Sequence, residues 1–362
     1  MLWMGIAMMT LYLAGNGYVF WRLWQVMSSM PMGVRVAFAV VYWVVALSFF
    51  VAMGMRNSEH CTALVKAMMW LGTAWMVFTL YMVMATALFD IIHLFVPALR
   101  FGVLYALGIT TCLLVYGYVN YRSPRVEHLD IELDKGLSGG GVRVVMASDI
   151  HLGYGTDRSD LERYVEMINA QHPDVVVIVG DLIDNSLAPV VRENMGEVLA
   201  RIEAPQGLFV VPGNHEYISG IEASVRFIRG TQLRLLRDSV AVLPSGLQIV
   251  GRDDRSNGGR QPIDSLLRDV DMSRPVVVLD HQPYDIAESD RHGVDLHLSG
   301  HTHRGQIWPL SLLTDAMYDQ SYGYRRWTHS HAYVSSGLSL WGPSFRIGTQ
   351  SELVVIDIRG GE

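Results

Sequence analysis

The stretch Val175-Val-Val-Ile-Val-Gly-Asp-Leu-Ile-Asp-Asn185 decides the fold. Five consecutive aliphatic β-branched residues cannot alternate between a wet and a dry face, so they predict a strand buried on both sides. A glycine ends the run, and Asp181 is the first polar side chain beyond it. The pattern recurs. Val142–Ala147 runs into Ser148-Asp149-Ile-His151, and Gly207–Val211 into Gly213-Asn214-His215-Glu216. Pro275–Leu279 runs into Asp280-His281, and Val294–Leu298 into Gly300-His301-Thr-His303. Further β-branched runs at Leu247–Val250, Ala332–Ser335 and Leu353–Ile358, with helical patterns at Arg158–Ala170 and Pro189–Ile202, predict an α/β layered domain, a sheet sandwiched by helices. In such sheets the carboxyl ends of the strands form the ligand-binding edge. Five strand-end loops thus bring Asp, Asn and His side chains to one edge.

These donors are oxygens and imidazoles, a set that suits divalent manganese, iron or zinc. A cysteine-based site is excluded, because the chain holds only Cys61 and Cys112, both in the apolar N-terminal region. Up to Arg125 there are seven Lys or Arg against two Asp or Glu, and beyond it 21 against 33. The acidic second part argues against a nonspecific nucleic-acid binder, which needs a basic face to neutralise phosphates.

Four stretches contain no Asp, Glu, Lys or Arg: Met1 to Trp21, Val36 to Met55, Ala67 to Phe89 and Phe101 to Tyr121. Each is near the ~20 residues a helix needs to cross the hydrocarbon of a bilayer. The expected organisation is a membrane domain of about four transmembrane helices over residues 1–121, a linker over 122–141 containing Gly139-Gly-Gly141, and an α/β domain over 142–362. The first stretch is expected to stay in the protein, since its first positive charge, Arg22, follows it. With four spans, Arg56, Lys66, Arg122 and Arg125 lie on one side against Arg22, Arg35 and Arg100 on the other. That balance tips the C-terminal domain of an inner-membrane protein toward the cytoplasm. Asp90 and His93, between the third and fourth stretches, are the other residues there with chemistry to offer.

The ordered set Asp149-x-His151, Gly180-Asp181, Gly213-Asn214-His215-Glu216, His281 and Gly300-His301-x-His303 resembles the calcineurin-like metallophosphoesterase superfamily. Gly305-Gln306 and the tail Ser335-Ser-Gly-Leu338, Trp341-Gly-Pro343, Arg346 and Glu352 are similar to the membrane-associated bacterial branch of the YkuE and YaeI type; Arg304 stands where that branch often has Gly. The resemblance implies a four-layer αββα fold, a β-sandwich of two sheets flanked by helices. It implies one metal held by Asp149, His151 and His303, a second held by Asn214, His281 and His301, and Asp181 bridging them. It also implies that His215 is a catalytic histidine that does not bind metal.

Physical logic agrees with these roles. Two divalent ions about 3.5–4 Å apart can hold a bridging water as hydroxide and bind phosphoryl oxygens as charge builds up. An anionic carboxylate can span two cations and offset their repulsion, which Asn or His does less well. An imidazole such as His215 can protonate the leaving oxygen. The expected activity is hydrolysis of a phosphodiester or pyrophosphate in a phosphorylated small-molecule or lipid-linked substrate at the bilayer. The alternative is a noncatalytic metal-binding sensor or scaffold domain. Gly180, Gly213 and Gly300 precede ligands where the backbone must turn or approach closely. Asp184 and Glu216 are either acceptors that orient imidazoles or plain surface carboxylates. The loop Gly251–Arg260 is either a mobile flap bringing Arg252, Arg255 or Arg260 to a phosphate or a solvated connection. His297 is expected to be structural.

Overall fold

The computed structural model of the chain describes residues 2–55 and 62–361; Arg56 and Cys61, which entered the reading above, lie outside the described residues. The chain divides into two compact units, Met1–Val119 with Gly342–Phe345, and Asn120–Trp341 with Arg346–Glu362.

The first unit holds α1 (Leu2–Val26), α2 (Met32–Met55), α3 (Thr62–Phe95) and most of α4 (Gly102–Tyr121). Among the described residues three helices are long and apolar enough to cross a membrane, over Met32–Met55, Ala63–Phe95 and Gly102–Tyr121. Helix α1, which carries Asn16 and three glycines along its length, is not one of them. Asn16 is buried and accepts a hydrogen bond from the Trp75 indole at 2.9 Å, so its polarity is used inside the bundle. Asp90 is partnered as well: Arg22 pairs with it at 2.5 Å and the Tyr18 hydroxyl donates to it at 2.6 Å. A carboxylate in an apolar bundle needs such compensation.

The second unit is a sandwich of two six-stranded sheets. Its strands are β1 (Arg125–Leu133), β2 (Gly141–Ala147), β3 (Val175–Val179), β4 (Gly207–Val211), β5 (Arg234–Leu235) and β6 (Ser239–Val242). They continue with β7 (Gln248–Gly251), β8 (Val276–Leu279), β9 (Leu296–Ser299), β10 (Gly323–Arg326), β11 (His331–Val334) and β12 (Glu352–Gly360). The strand orders are β1-β12-β2-β3-β4-β5 and β10-β11-β9-β8-β7-β6. Strands β2 to β5 are mutually parallel, as are β7, β8, β9 and β11.

The valine run behaves as its composition dictates. Val175, Val177 and Val179 face the inter-sheet core with Leu279, Leu296 and Leu298, while Val176 and Ile178 face the helices. That outer layer comprises α5 (Arg158–Asn169), α6 (Ala188–Arg192), α7 (Met195–Leu199), α8 (Asn214–Ile218) and α9 (Ile221–Arg229). Leu161, Tyr164, Ile168, Val198 and Ile228 fill the space beneath it. A further apolar cluster, Ile263, Leu266, Val276 and Val278 among its members, covers the second sheet, completing the expected helix, sheet, sheet, helix layering.

Two expectations need correction. Pro189–Ile202 is not one helix but α6 and α7, broken at Asn194, which takes φ 49°. The presumed linker 122–141 contains β1, paired in parallel with β12 from Arg125↔Glu352 to Leu133↔Gly360. Its residues Val126, Leu129, Ile131 and Leu133 pack on the cores, which gives a bulky edge strand a reason to form. If β1 is integral, Ile131→Ala, removing a side chain that is 1% exposed, should cost about 2–4 kcal/mol in denaturant melts of the detergent-solubilised chain. A melt unchanged from wild type would return β1 to the status of a linker.

Candidate metal centre

The site is built where parallel strands end. Asp149 and His151 follow β2, Asp181 follows β3, Asn214 and His215 open α8 after β4, His281 follows β8, and His301 and His303 follow β9. Nε2 of His151 and Nε2 of His303 face each other at 3.2 Å and lie 3.9 and 3.4 Å from Asp149 Oδ1. Nε2 of His281 is 3.1 Å from Asp181 Oδ2, and the same carboxylate oxygen is 3.7 Å from His151 Nε2. His301 offers a ring nitrogen to the Asp181 and His281 group, all within 4.8 Å. Asp181 therefore stands between two clusters. The His215 and His151 rings lie 4.6 Å apart, nearly perpendicular.

The backbone is bent to make this possible. Asp149, His151, Asp181, His301 and His303 all have φ between 48° and 71°, a region non-glycine residues avoid, so the surrounding bonds must hold them there. The His301 N–H donates to both Asp149 carboxylate oxygens at 3.1 Å, and the His215 N–H to Asp181 Oδ1 at 2.8 Å. His281 Nδ1 donates to the Val179 carbonyl at 2.9 Å, which leaves Nε2 turned toward Asp181. Gly180 has φ +79°, and a Cβ there would lie 2.3 Å from His281 Nδ1; one at Gly213 would lie 2.2 Å from Asp181 Oδ1.

Glu216 is neither an imidazole partner nor a surface group. Fully buried, it accepts the N–H groups of Asp181 at 3.1 Å, Ile183 at 2.8 Å and Gly213 at 2.7 Å, tying the loop after β3 to the loop after β4. Asp184 does face imidazoles: its Oδ1 is 3.0 Å from His215 Nδ1 and 3.4 Å from His151 Nδ1. Below the site Arg346 is completely buried and donates to the His303 carbonyl at 2.8 Å and to the carbonyls of Gly337 and Ser339. The loop from Gly251 to Arg260 is pinned rather than free. Arg252 and Arg260 pair with the buried Asp280, beside His281, at 2.8 and 3.0 Å.

Burial and charge set the protonation of the cluster. Burial pushes the Asp181 carboxyl up, yet His281 and His215 hold it well below the usual range. Burial works against a charged His215, but Asp181 and Asp184 raise it to about 9. Burial and then Asp181 raise Glu216 to about 7. Burial, followed by the neighbouring His281, lowers His301 to about 4, and burial with His151 lowers His303 well below its ordinary value. Those two rings present lone pairs. Asn214 Oδ1 is buried without a hydrogen-bond partner, and the nitrogens of His151 and His303 converge beside a carboxylate. Converging buried lone pairs repel unless a cation lies among them. The residues fit divalent ions, with oxygen and nitrogen donors alone.

A sandwich with such a donor set at the ends of its strands is the frame of a metal-dependent hydrolase. A family model described as calcineurin-like phosphoesterase matches residues 142–305. A transmembrane protein with metallophosphoesterase domain from Danio rerio is 34% identical over 272 residues, covering 70% of this chain and 62% of that protein. A Helicobacter pylori protein described as an uncharacterised metallophosphoesterase is 33% identical over 276 residues, covering 72% of this chain and 73% of that one. The metallophosphoesterase YkuE of Bacillus subtilis is 27% identical over 269 residues, covering 67% and 90%. The chain belongs to the calcineurin-like phosphoesterases, metal-dependent hydrolases of phosphoric esters.

His297 lies in β9 but outside the cluster, held between the hydroxyls of Ser289 at 2.7 Å and Ser299 at 3.1 Å. Burial lowers its pKa from 6.5 to about 4. The unfolded chain therefore takes up a proton that the folded chain refuses as pH falls through this window, and stability drops by about 3 kcal/mol. His297→Gln should flatten that part of the stability profile relative to wild type, measured by denaturant melts between pH 7 and about 4. Parallel profiles would mean that His297 titrates normally.

Proposed function

We propose that this protein is a membrane-anchored phosphoesterase working with two divalent cations on a phosphodiester or pyrophosphate bond, in a lipid-linked substrate. The observation that carries this reading is the buried Asp181 carboxylate, which groups with His151 and His215 on one side and with His281 and His301 on the other. One cation would be held by Asp149, His151 and His303, and the other by Asn214, His281 and His301, with Asp181 shared. Bound there, manganese, iron or zinc would supply Lewis acidity toward the phosphoryl group and lower the pKa of water. His215 would be the general acid. Asp184, 3.0 Å from its Nδ1, fixes the ring and favours its charged form, so a proton is available for the leaving oxygen.

Helices α2, α3 and α4 would place the site at a bilayer, with α1 as a fourth span. Lys66, Arg122 and Arg125, with Arg56, against Arg22, Arg35 and Arg100 favour a cytoplasmic catalytic unit at the inner membrane. The chain spans 62% of the length of the Danio rerio relative.

The test is hydrolysis of a chromogenic phosphodiester and a phosphomonoester by the detergent-solubilised chain, with manganese and with chelator. Asp181→Asn should lose bound metal and most turnover. His215→Ala should keep both metals by elemental analysis while turnover falls about 10²- to 10⁴-fold. Full activity in either variant would overturn the assigned role.

A further inference from the structure

Beyond the turn that carries the metal-ligand candidate His303 the chain forms a helix over Ser311–Met317 in which none of the seven residues is buried. Leu312 and Leu313 are each 59% exposed and Met317 is 63% exposed; Ala316 joins them on one face, and Trp308 just upstream is 47% exposed. A helix this short gains its stability from packing, so an apolar face left mostly exposed calls for a partner.

The surroundings identify that partner. Asn120 and Tyr121, the last residues of α4, fold with the phosphoesterase unit, and only Arg122, Ser123 and Pro124 separate them from β1. Asn120 Nδ2 donates to the carbonyls of Arg346 at 3.0 Å and Thr349 at 2.9 Å. On the same stretch, the Ile347 carbonyl accepts the Trp308 N–H at 2.7 Å, and the Thr349 hydroxyl donates to the Gln306 carbonyl. Residues 346–349 thus connect the end of a candidate span to the base of the apolar helix. Through Arg346 they also reach the His303 carbonyl.

We infer that Trp308 and the face Leu312, Leu313, Ala316 and Met317 are a membrane-interface contact of the phosphoesterase unit, beside the metal centre. Tryptophan with aliphatic side chains on one helical face is the composition that settles between headgroups and acyl chains. The contact deepens the proposed function, on which its consequence for substrate rests: the phosphate would be carried by an amphiphile whose apolar part stays in the bilayer.

The test uses the full chain with Cys61→Ser, Cys112→Ser and Leu313→Cys, labelled at position 313 with an environment-sensitive fluorophore and reconstituted in phosphatidylcholine–phosphatidylglycerol vesicles. Blue-shifted emission, quenched by lipids spin-labelled near the headgroup and protected from aqueous iodide, is the expected result. Water-like emission quenched by iodide overturns the contact. Sheltered emission without lipid quenching, in a preparation that is dimeric, overturns it in favour of a second copy. Independently, the triple variant Leu312→Glu, Leu313→Glu, Met317→Glu should keep its turnover of a soluble chromogenic phosphoester. On a vesicle-embedded phosphoester lipid it should lose at least about tenfold. Equal turnover on both substrates overturns the contact while leaving the phosphoesterase reading intact. If wild type with manganese hydrolyses neither, it is that reading which fails, and the fluorescence still decides the contact.

Discussion

A single buried carboxylate, Asp181, is the constraint on which the rest of the molecule depends. Burying a charge is costly unless it is compensated from several directions. Here the compensation comes from His281 at 3.1 Å, from His151 at 3.7 Å and from the backbone N–H of His215 at 2.8 Å. Each of those groups sits on a different loop, so the carboxylate stays charged only when the strands β2, β3, β4 and β8 are all in register. The inter-sheet core that aligns them, Val177 and Val179 against Leu279 and Leu298, thereby becomes part of the chemistry.

Much of this was legible from the residues alone, for a physical reason. Strands buried on both faces must be continuous aliphatic runs, and such runs end abruptly where the chain meets polar groups. The boundary between Val179 and Asp181, or between Leu298 and His301, therefore marks a strand end and a donor at once. Glycine adds a second signal, since only its missing Cβ allows the His281 ring to approach Gly180.

What escaped the sequence is what depends on partners far away along the chain. Glu216 reads as an acceptor for an imidazole or as a surface carboxylate; its three backbone donors exist only after β3 and β4 have paired. Arg252 and Arg260 read either as phosphate-seeking residues of a mobile flap or as solvated charges, and only the fold reveals Asp280 between them. Strand β1 was missed because its polar residues point outward along an edge, and its parallel partner, β12, lies more than two hundred residues further on. The membrane unit shows the same limit: Asp90 stands out in the sequence, but its pairing with Arg22 and the hydrogen bond from Tyr18 are tertiary facts.

The three N–H groups gathered by Glu216 carry a consequence for kinetics. Because that carboxylate cinches two donor loops together with bonds that involve no cation, this part of the donor arrangement is assembled by folding itself. Ions arriving at such a cradle would find ligands already oriented, and the slow step of loading would be the shedding of the ion's own water shell. Rearrangement of the chain would contribute little. Exchange of one metal for another would then follow the solution lability of each aqua ion, so the metal the protein carries would reflect which ions its compartment supplies as much as which it prefers.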